Sequence, residues 1–396
     1  LADTGEGDDD IYAVQLDFTV AGPLDVDRLR GAMDTVVRRH PHLVATFCGQ
    51  FDEPVQIIPA DPVFAYQFRE FGSEEQIEQL CAAERAAVCD LAASPAFRVA
   101  LIHTGEDTHR CVLTIHHIVI DGWSMPILLQ NIFAGYYRQP LPAAVPYRRF
   151  VTWLTDRDTQ AARAAWAEML AGFDTPTLVN PSSRLAAGQR GVASLAISKD
   201  TTSALGELAR AHHTTVSTVL QGAWALLLTS LTGRHDVAFG TTVSGRPTEV
   251  AGAESMVGLF INTVPVRASF TPTTTTADLL EQLQSRHNNT LDHQHLALPE
   301  IHRVTGHDQL FDTLFVYENY PVDTAAPLGP DGLAITEFSN REYNHYPLTV
   351  QALPGAELSI RFEYDAEAFD AGRIRKVIQR FKRVLAAMTA DMGEKS

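Results

Sequence analysis

A strand that runs into a polar loop and straight on into an apolar helix leaves a chain few ways to fold, and residues 111–137 (CVLTIHHIVIDGWSMPILLQNIFAGYY) have that pattern. Cys111 to Ile115 reads as a buried strand. Ile127, Leu128, Ile132, Phe133 and Tyr136 then recur at helical spacing. Between them stand His116, His117 and the turn pair Asp121-Gly122. Neighbouring side chains on an extended segment point to opposite faces, so only one of the two histidines can face a given cavity. Imidazole is the side chain best matched to proton transfer near neutral pH. Taken alone, a His-His pair at a strand end is more often one packed and one solvated ring, and Asp-Gly is a common turn dipeptide. Two adjacent histidines and one carboxylate lack a third ligand and the usual ligand spacing, so no metal is expected.

The rest of the chain bounds the function class. Its 396 residues allow two or three domains or one large two-lobed unit. A net charge of −17 opposes both sequence-independent nucleic-acid binding and docking on anionic membranes. Cys48, Cys81, Cys89 and Cys111 show no metal-like spacing and read as reduced thiols. The first ten residues, LADTGEGDDD, are acidic and polar, read as disordered, and have no apolar signal core. No run approaches 18 apolar residues, so nothing is expected to span a bilayer and the cytoplasm is the expected compartment.

In chain order, Ile11 to Val20 predicts a strand. Asp25 can cap a helix with Leu29, Ala32, Met33, Val36 and Val37 on its apolar stripe. A helix over Glu74 to Leu91 and a strand over Phe97 to Ile102 precede the central element. The loop at 174–184 (DTPTLVNPSSR) is the best boundary, which divides the chain into lobes at 1–175 and 176–396. The second half restarts the same grammar, with a strand at Val192 to Ile197 and helices near Thr201 to Ala211 and Val216 to Leu231. A strand from Val237 to Val243 ends in the turn Ser244-Gly245-Arg246-Pro247. A helix at Ala277 to Asn289, strands at Leu310 to Tyr320 and Leu358 to Tyr364, and a final amphipathic helix through Ile374, Phe381 and Met388 complete the reading.

The string His116-His117-Ile118-Val119-Ile120-Asp121-Gly122 matches HHxxxDG, and Trp123-Ser124 extends it. On this motif the chain resembles the condensation domains of nonribosomal peptide synthetases, members of the chloramphenicol-acetyltransferase-like superfamily. Further motifs recur in order. Arg39, His40, Leu43 and Phe47 match RHxxLRTxF, with Val44 at the second arginine. Tyr147, Phe150 and Trp153 match YxDFxxW, with Arg149 in place of the acid. Val257-Gly258-Leu259-Phe260-Ile261-Asn262-Thr263 with Arg267 matches (I/V)GxFVNT…R, and His293-Gln294 matches an HQ pair. The likeness covers residues 11 to 390. The family's opening SxxQ-type motif is absent, which is read as a chain that begins after it.

The resemblance implies an α/β (α+β) fold of two acetyltransferase-like lobes arranged as a V-shaped pseudo-dimer with a tunnel between them. It implies peptide-bond formation: the amine of an amino acid on an acceptor carrier attacks the acyl or peptidyl thioester on a donor carrier. His117 would face the reaction chamber and Gly122 would lie close to the thioester. His116, Asp121, Trp123 and Ser124 would shape the site, and Gly258, Phe260, Asn262, Ser244 and Tyr346 would line the tunnel. The family's second arginine is thought to pair with the motif's Asp; with Val44 in its place, Arg39 is the substitute candidate. No intrinsic cofactor is implied, since substrates arrive on phosphopantetheine arms of donor and acceptor peptidyl carrier proteins, with other synthetase domains adjacent. Neither nucleic acid nor membrane is implied. The wording HHIVIDGWS and VYENYP is similar to the subtype whose donor ends in a D-residue. The same motif also occurs in epimerases of the superfamily and in non-catalytic recruitment modules, and a CoA-dependent acyltransferase is a further alternative. No GxSxG elbow, P-loop or dinucleotide fingerprint supports a covalent intermediate or a nucleotide. Placement of the reactants and one proton acceptor are what such chemistry asks of a protein.

Overall fold

The protein is described from a computed structural model over residues 11–52, 54–70, 73–181, 190–318 and 332–390. The acidic leader, part of the 174–184 loop and the end of the expected strand at Leu310 to Tyr320 lie outside these residues. The strands are β1 (Ala13–Ala21), β2 (Thr46–Cys48), β3 (Val55–Ile57), β4 (Ala65–Glu70), β5 (Phe97–Gly105), β6 (Thr108–His116), β7 (Arg190–Ala196), β8 (Asp236–Val243), β9 (Asn262–Ser269), β10 (Thr313–Tyr317), β11 (Ala334–Arg341), β12 (Leu348–Leu353) and β13 (Ser359–Asp365). Two compact units result. One holds Leu1–Thr155, Arg246–Phe260 and Tyr320–Asn344, the other Asp156–Gly245, Ile261–Asn319 and His345–Ser396. Each unit is therefore assembled from separate stretches of chain, whereas the sequence reading drew a single boundary at 175/176.

In the first unit the sheet order is β11-β1-β6-β5-β4. β1 pairs antiparallel with both β6 and β11, so those two strands run parallel to each other with β1 between them. The helix Val26–Arg39 starts where Asp25 accepts a hydrogen bond from the Arg28 N–H at 3.0 Å, which satisfies one of the amides that a first turn leaves over. Leu29, Ala32, Met33, Val36 and Val37 are its buried face, the stripe expected from their spacing. They pack with Val14, Leu16, Phe18 and Val20 of β1, the inward members of a period-2 strand, and with Leu128 and Ile132 of the helix Ser124–Tyr136. Removing any of the larger of these side chains, Ala32 excepted, from water is worth about 1.5–3 kcal/mol.

The second unit carries a six-stranded sheet ordered β7-β13-β12-β10-β8-β9. Its core gathers Trp224 and Leu228 of the helix Val216–Thr232 and Phe381 and Leu385 of the helix Ala371–Ala390 against Phe362 and Phe315. Helix Val216–Thr232 stops at Gly233, whose φ of +71° is the left-handed cap that glycine adopts without strain. The expected strand–helix opening recurs here as β7 followed by the helix Lys199–Ala211.

Candidate active site

β6 ends at His116, and His117 begins a short 3-10 turn to Val119 before Asp121-Gly122 leads into the helix Ser124–Tyr136. This change of backbone separates the two histidines. His116 is 2% exposed, its Nδ1 accepts the Ile118 N–H at 3.0 Å, and its ring lies beside Tyr12. His117 keeps 15% of its side chain exposed, and its backbone N–H is anchored on the Tyr12 carbonyl at 2.8 Å. The His116 ring is packed; the His117 ring keeps a small exposed fraction.

Asp121 does not face a substrate space. It is 1% exposed and its two oxygens are used by the protein. Oδ1 accepts the Ser124 N–H at 2.9 Å and lies 2.7 Å from Ser124 Oγ, while Oδ2 accepts the Phe260 N–H at 2.9 Å. Asp121 N–H in turn donates to the Gly258 carbonyl at 3.0 Å. Ser124 Oγ accepts from the Gly258 N–H at 3.1 Å, and the Gly258 carbonyl, 2.9 Å away, competes with Asp121 for its one proton. The buried carboxylate is compensated by Arg246, whose Nη2 reaches Asp121 Oδ1 at 3.2 Å and Ser124 Oγ at 2.8 Å. Arg246 Nη1 donates to the carbonyls of Ala253 and Met256 at 2.5 and 2.9 Å, and its guanidinium lies 4.1 Å from the Phe260 ring centre. A planar fork satisfies this many acceptors at once, which an ammonium does not.

His117 has one carboxylate partner in addition to the motif. Its Nε2 lies 3.2 Å from Glu342 Oε1. Glu342 immediately follows β11 as His117 immediately follows β6, so the parallel run of those strands on either side of β1 delivers both side chains to one end of the sheet. Burial is the largest influence on the His117 imidazolium and acts against it. The hydrogen bond and charge of Glu342 oppose it, the ring's bond to its own backbone carbonyl and the charge of Asp121 add to them, and the net effect raises the pKa above the ordinary histidine value.

The condensation domain family model matches residues 4–395. The chain belongs to that family. Among curated relatives it is similar to chondramide synthase of Chondromyces crocatus (36% identity, 90% of this chain, 10% of that protein). It is likewise similar to vanchrobactin synthetase of Vibrio anguillarum (37%, 93% and 13%) and to tyrocidine synthase 2 of Brevibacillus parabrevis (30%, 96% and 11%). This condensation domain thus spans 13% or less of the length of these three relatives. Its fold is similar to the X-domain from teicoplanin biosynthesis (TM-score 0.82, 21% identity, 96% of this chain and 91% of that one). The condensation domain from the monacolin K polyketide synthase gives 0.78 at 19% identity, covering 96% and 92%. The mixed α/β fold expected from the motifs is the fold observed.

Within this condensation domain, the partner of Asp121 corrects one expectation. Arg39 is not beside Asp121; its guanidinium donates to the Pro142 carbonyl. Val44, at the position of the family's arginine, is 3% exposed and belongs to the apolar core. Arg246, read from sequence only as part of a polar turn, supplies the charge instead. Its position 125 residues from Asp121 gave the sequence no local signal. His40 and His42 of the same motif are buried, and burial pulls their pKa values down to about 3 and about 4, which makes them neutral packing groups. Glu342 was also missed: it stands in a polar run, NREYNH, after a strand the sequence reading did not include.

The five residues expected to line a substrate passage fall into different surroundings. Phe260 is 3% exposed and packs with Phe150, Val250, Ala253 and Met256. Tyr346 is 4% exposed and stacks on Phe311. Asn262 spends its amide on the carbonyls of Gln294 and Leu296, at 2.8 and 2.7 Å. Ser244 lines a cavity of about 340 Å³ in the second unit, with Thr241, Gln221, His287 and Gln294. Gly258 is covered by the Tyr147 ring, which stands where a Cβ would be, and Tyr147 OH donates to the Leu259 carbonyl. Gly258→Ala is therefore expected to lower stability by about 1–3 kcal/mol through forced repacking, measured by chemical denaturation. Tyr147→Leu combined with it should recover part of that loss.

Proposed function

We propose that this condensation domain forms an amide bond between two carrier-borne substrates, with His117 as the group that receives the amine's proton. The observation that carries the reading is the contrast within the histidine pair. His116 is packed and its Nδ1 is committed to the backbone, while His117 stays partly open with Nε2 turned to a carboxylate. An acceptor ammonium gives one proton to Nε2 and its nitrogen attacks the thioester carbonyl. The C–N bond forms, the C–S bond breaks, and the second proton passes from nitrogen to the departing thiolate. In this reading Gly122, at the turn before the helix, contributes backbone N–H stabilisation of the developing oxyanion. Asp121, Ser124 and Arg246 act at one remove, by holding the loop that carries His117.

Donor and acceptor peptidyl carrier proteins presenting phosphopantetheine thioesters are the proposed partners, with further synthetase domains adjoining and the cytoplasm as the compartment. A donor ending in a D-residue is the proposed subtype, on the HHIVIDGWS wording. The test is reconstitution: one carrier loaded with an acyl or aminoacyl group, a second with an aminoacyl group, and mass spectrometry of the carrier-bound product. A dipeptide on the acceptor carrier is expected, formed faster from a D- than an L-terminated donor. Absence of any amide product, or inversion of a stereocentre on a single loaded carrier, would overturn the proposal in favour of recruitment or epimerisation.

A further inference from the structure

We propose that the cavity in the second unit binds a small organic anion, with Arg286 as its counter-charge and the anion's apolar body lying against Val264 and Leu283. The proposal stands apart from the assignment of His117. Two observations carry it: a space of about 340 Å³ with no carboxylate in its wall, and a half-buried guanidinium in that wall that no carboxylate pairs among the described residues.

Helices and strands of the second unit alone form the cavity. The helix Val216–Thr232 contributes Ser217, strands β8 and β9 contribute Thr242 and Val264, and the helix Thr276–Thr290 contributes Leu283 and Arg286. Its deep side is apolar: Val264 and Leu283 are each 3% exposed and Trp166 1%. Leu291, also in the wall, is 52% exposed and marks the side open to solvent. The volume falls within the span of about 300–1,000 Å³ usual for small-molecule sites, which are likewise mostly apolar with a few polar groups.

The charges decide what kind of molecule fits. Arg267 and Arg286 both line the cavity, and no aspartate or glutamate does. Arg267 is fully occupied: Nε and Nη2 hold Asp236 at 2.9 and 2.7 Å, and Nη1 donates to the carbonyls of Met169 and Ala171 at 3.1 and 2.8 Å. Arg286 has only neutral acceptors. Its Nη1 donates to the Arg267 carbonyl at 2.7 Å and to Gln282 Oε1 at 3.1 Å, and its Nη2 to Ser269 Oγ at 3.1 Å. Two guanidiniums thus stand against one carboxylate, and one positive charge is left over. Burial and the charge of Arg267 disfavour the Arg286 cation, and Asp236 only partly offsets them. Burial also lowers the His287 pKa, so this neighbour in the wall adds no charge near neutral pH. A partly buried cation without a counter-ion is costly, and an anion bound beside it relieves that cost. Nε–H and the second Nη2–H of Arg286 are not used by the protein. Together they are the edge of a guanidinium that grips a carboxylate or phosphate with two hydrogen bonds.

The test is calorimetric titration of the intact domain, at neutral pH and low salt, with hexanoate, hexyl phosphate and hexylamine. The three share one apolar body and differ in charge. Both anions are expected to bind, and hexylammonium is not. A tighter hexanoate assigns the site to carboxylic acids and a tighter hexyl phosphate to phosphate esters; either order supports the proposal. Arg286→Gln should weaken anion binding about 10- to 100-fold, the span of one charge-assisted hydrogen bond. Ser217→Phe fills the cavity without touching a charge and should abolish binding. Thermal unfolding without ligand checks that each variant folds; should Arg286→Gln fail there, Ser217→Phe and the hexylamine comparison still decide. Hexylammonium binding as tightly as hexanoate, or no saturable binding of either anion, would overturn the proposal. So would anion binding that is unchanged in Ser217→Phe or in a folded Arg286→Gln.

Discussion

Arg246→Ala is expected to destabilise the first unit by about 3–5 kcal/mol, the usual cost of removing one partner from a buried ion pair. Asp121 is 1% exposed and Arg246 6% at its side chain, so water cannot replace the lost guanidinium without opening the loop. The same change orphans the carbonyls of Ala253 and Met256. Against a total stability of about 5–15 kcal/mol such a loss is severe, and it should be visible as an earlier denaturation midpoint and poor soluble yield. Arg246→Lys should fall only partly short of this, since it keeps the charge and loses the fork. Replacing Asp121 and Arg246 together with residues that leave no buried charge should cost less than Arg246→Ala alone. A double variant as unstable as the sum of the singles would show that the pair is not coupled.

His117→Ala is expected to lower the rate of amide formation by about 10²–10⁴-fold, the range that a positioned general base contributes, while leaving the far-ultraviolet spectrum and unfolding midpoint nearly unchanged. The side chain keeps 15% of its surface exposed and is not part of the apolar core of the first unit, so the expected loss of stability is small. His116→Ala should fail in the other way. It removes a buried ring and the cap on the Ile118 N–H, so the loss is in stability first. Rates measured below and above neutrality would separate base catalysis from mere placement. A His117 variant with unchanged turnover would remove the proton-transfer role.

Much of the fold was legible in the sequence because the periodicities are clean. The stripe from Leu29 to Val37, and Ile374, Phe381 and Met388 of the last helix, are buried as their spacing predicts. The site was legible in its motif, from His116 to Ser124, and no further. Arg246 and Glu342 lie 125 and 225 residues away from their partners, and their local surroundings, a turn and a polar run, carry no signature of the contacts they make. Gly258, expected to line the tunnel, has the Tyr147 ring standing where a Cβ would be. Phe260 and Tyr346 show the usual ambiguity of aromatic residues in motifs: pattern matching cannot tell a lining from a filling, and both fill.

The discontinuous make-up of the first unit has a consequence during synthesis. At roughly 5–20 residues per second, the ribosome needs about 6–25 s to travel the 125 residues from Asp121 to Arg246, and about 11–45 s for the 225 from His117 to Glu342. Through that interval β1 lacks its β11 neighbour and presents an unpaired strand edge, while Asp121 waits for its counter-ion. A fragment ending at Thr155 would keep both defects permanently, so the N-terminal half is expected to be insoluble when expressed by itself, whereas co-production of the remaining chain should rescue it.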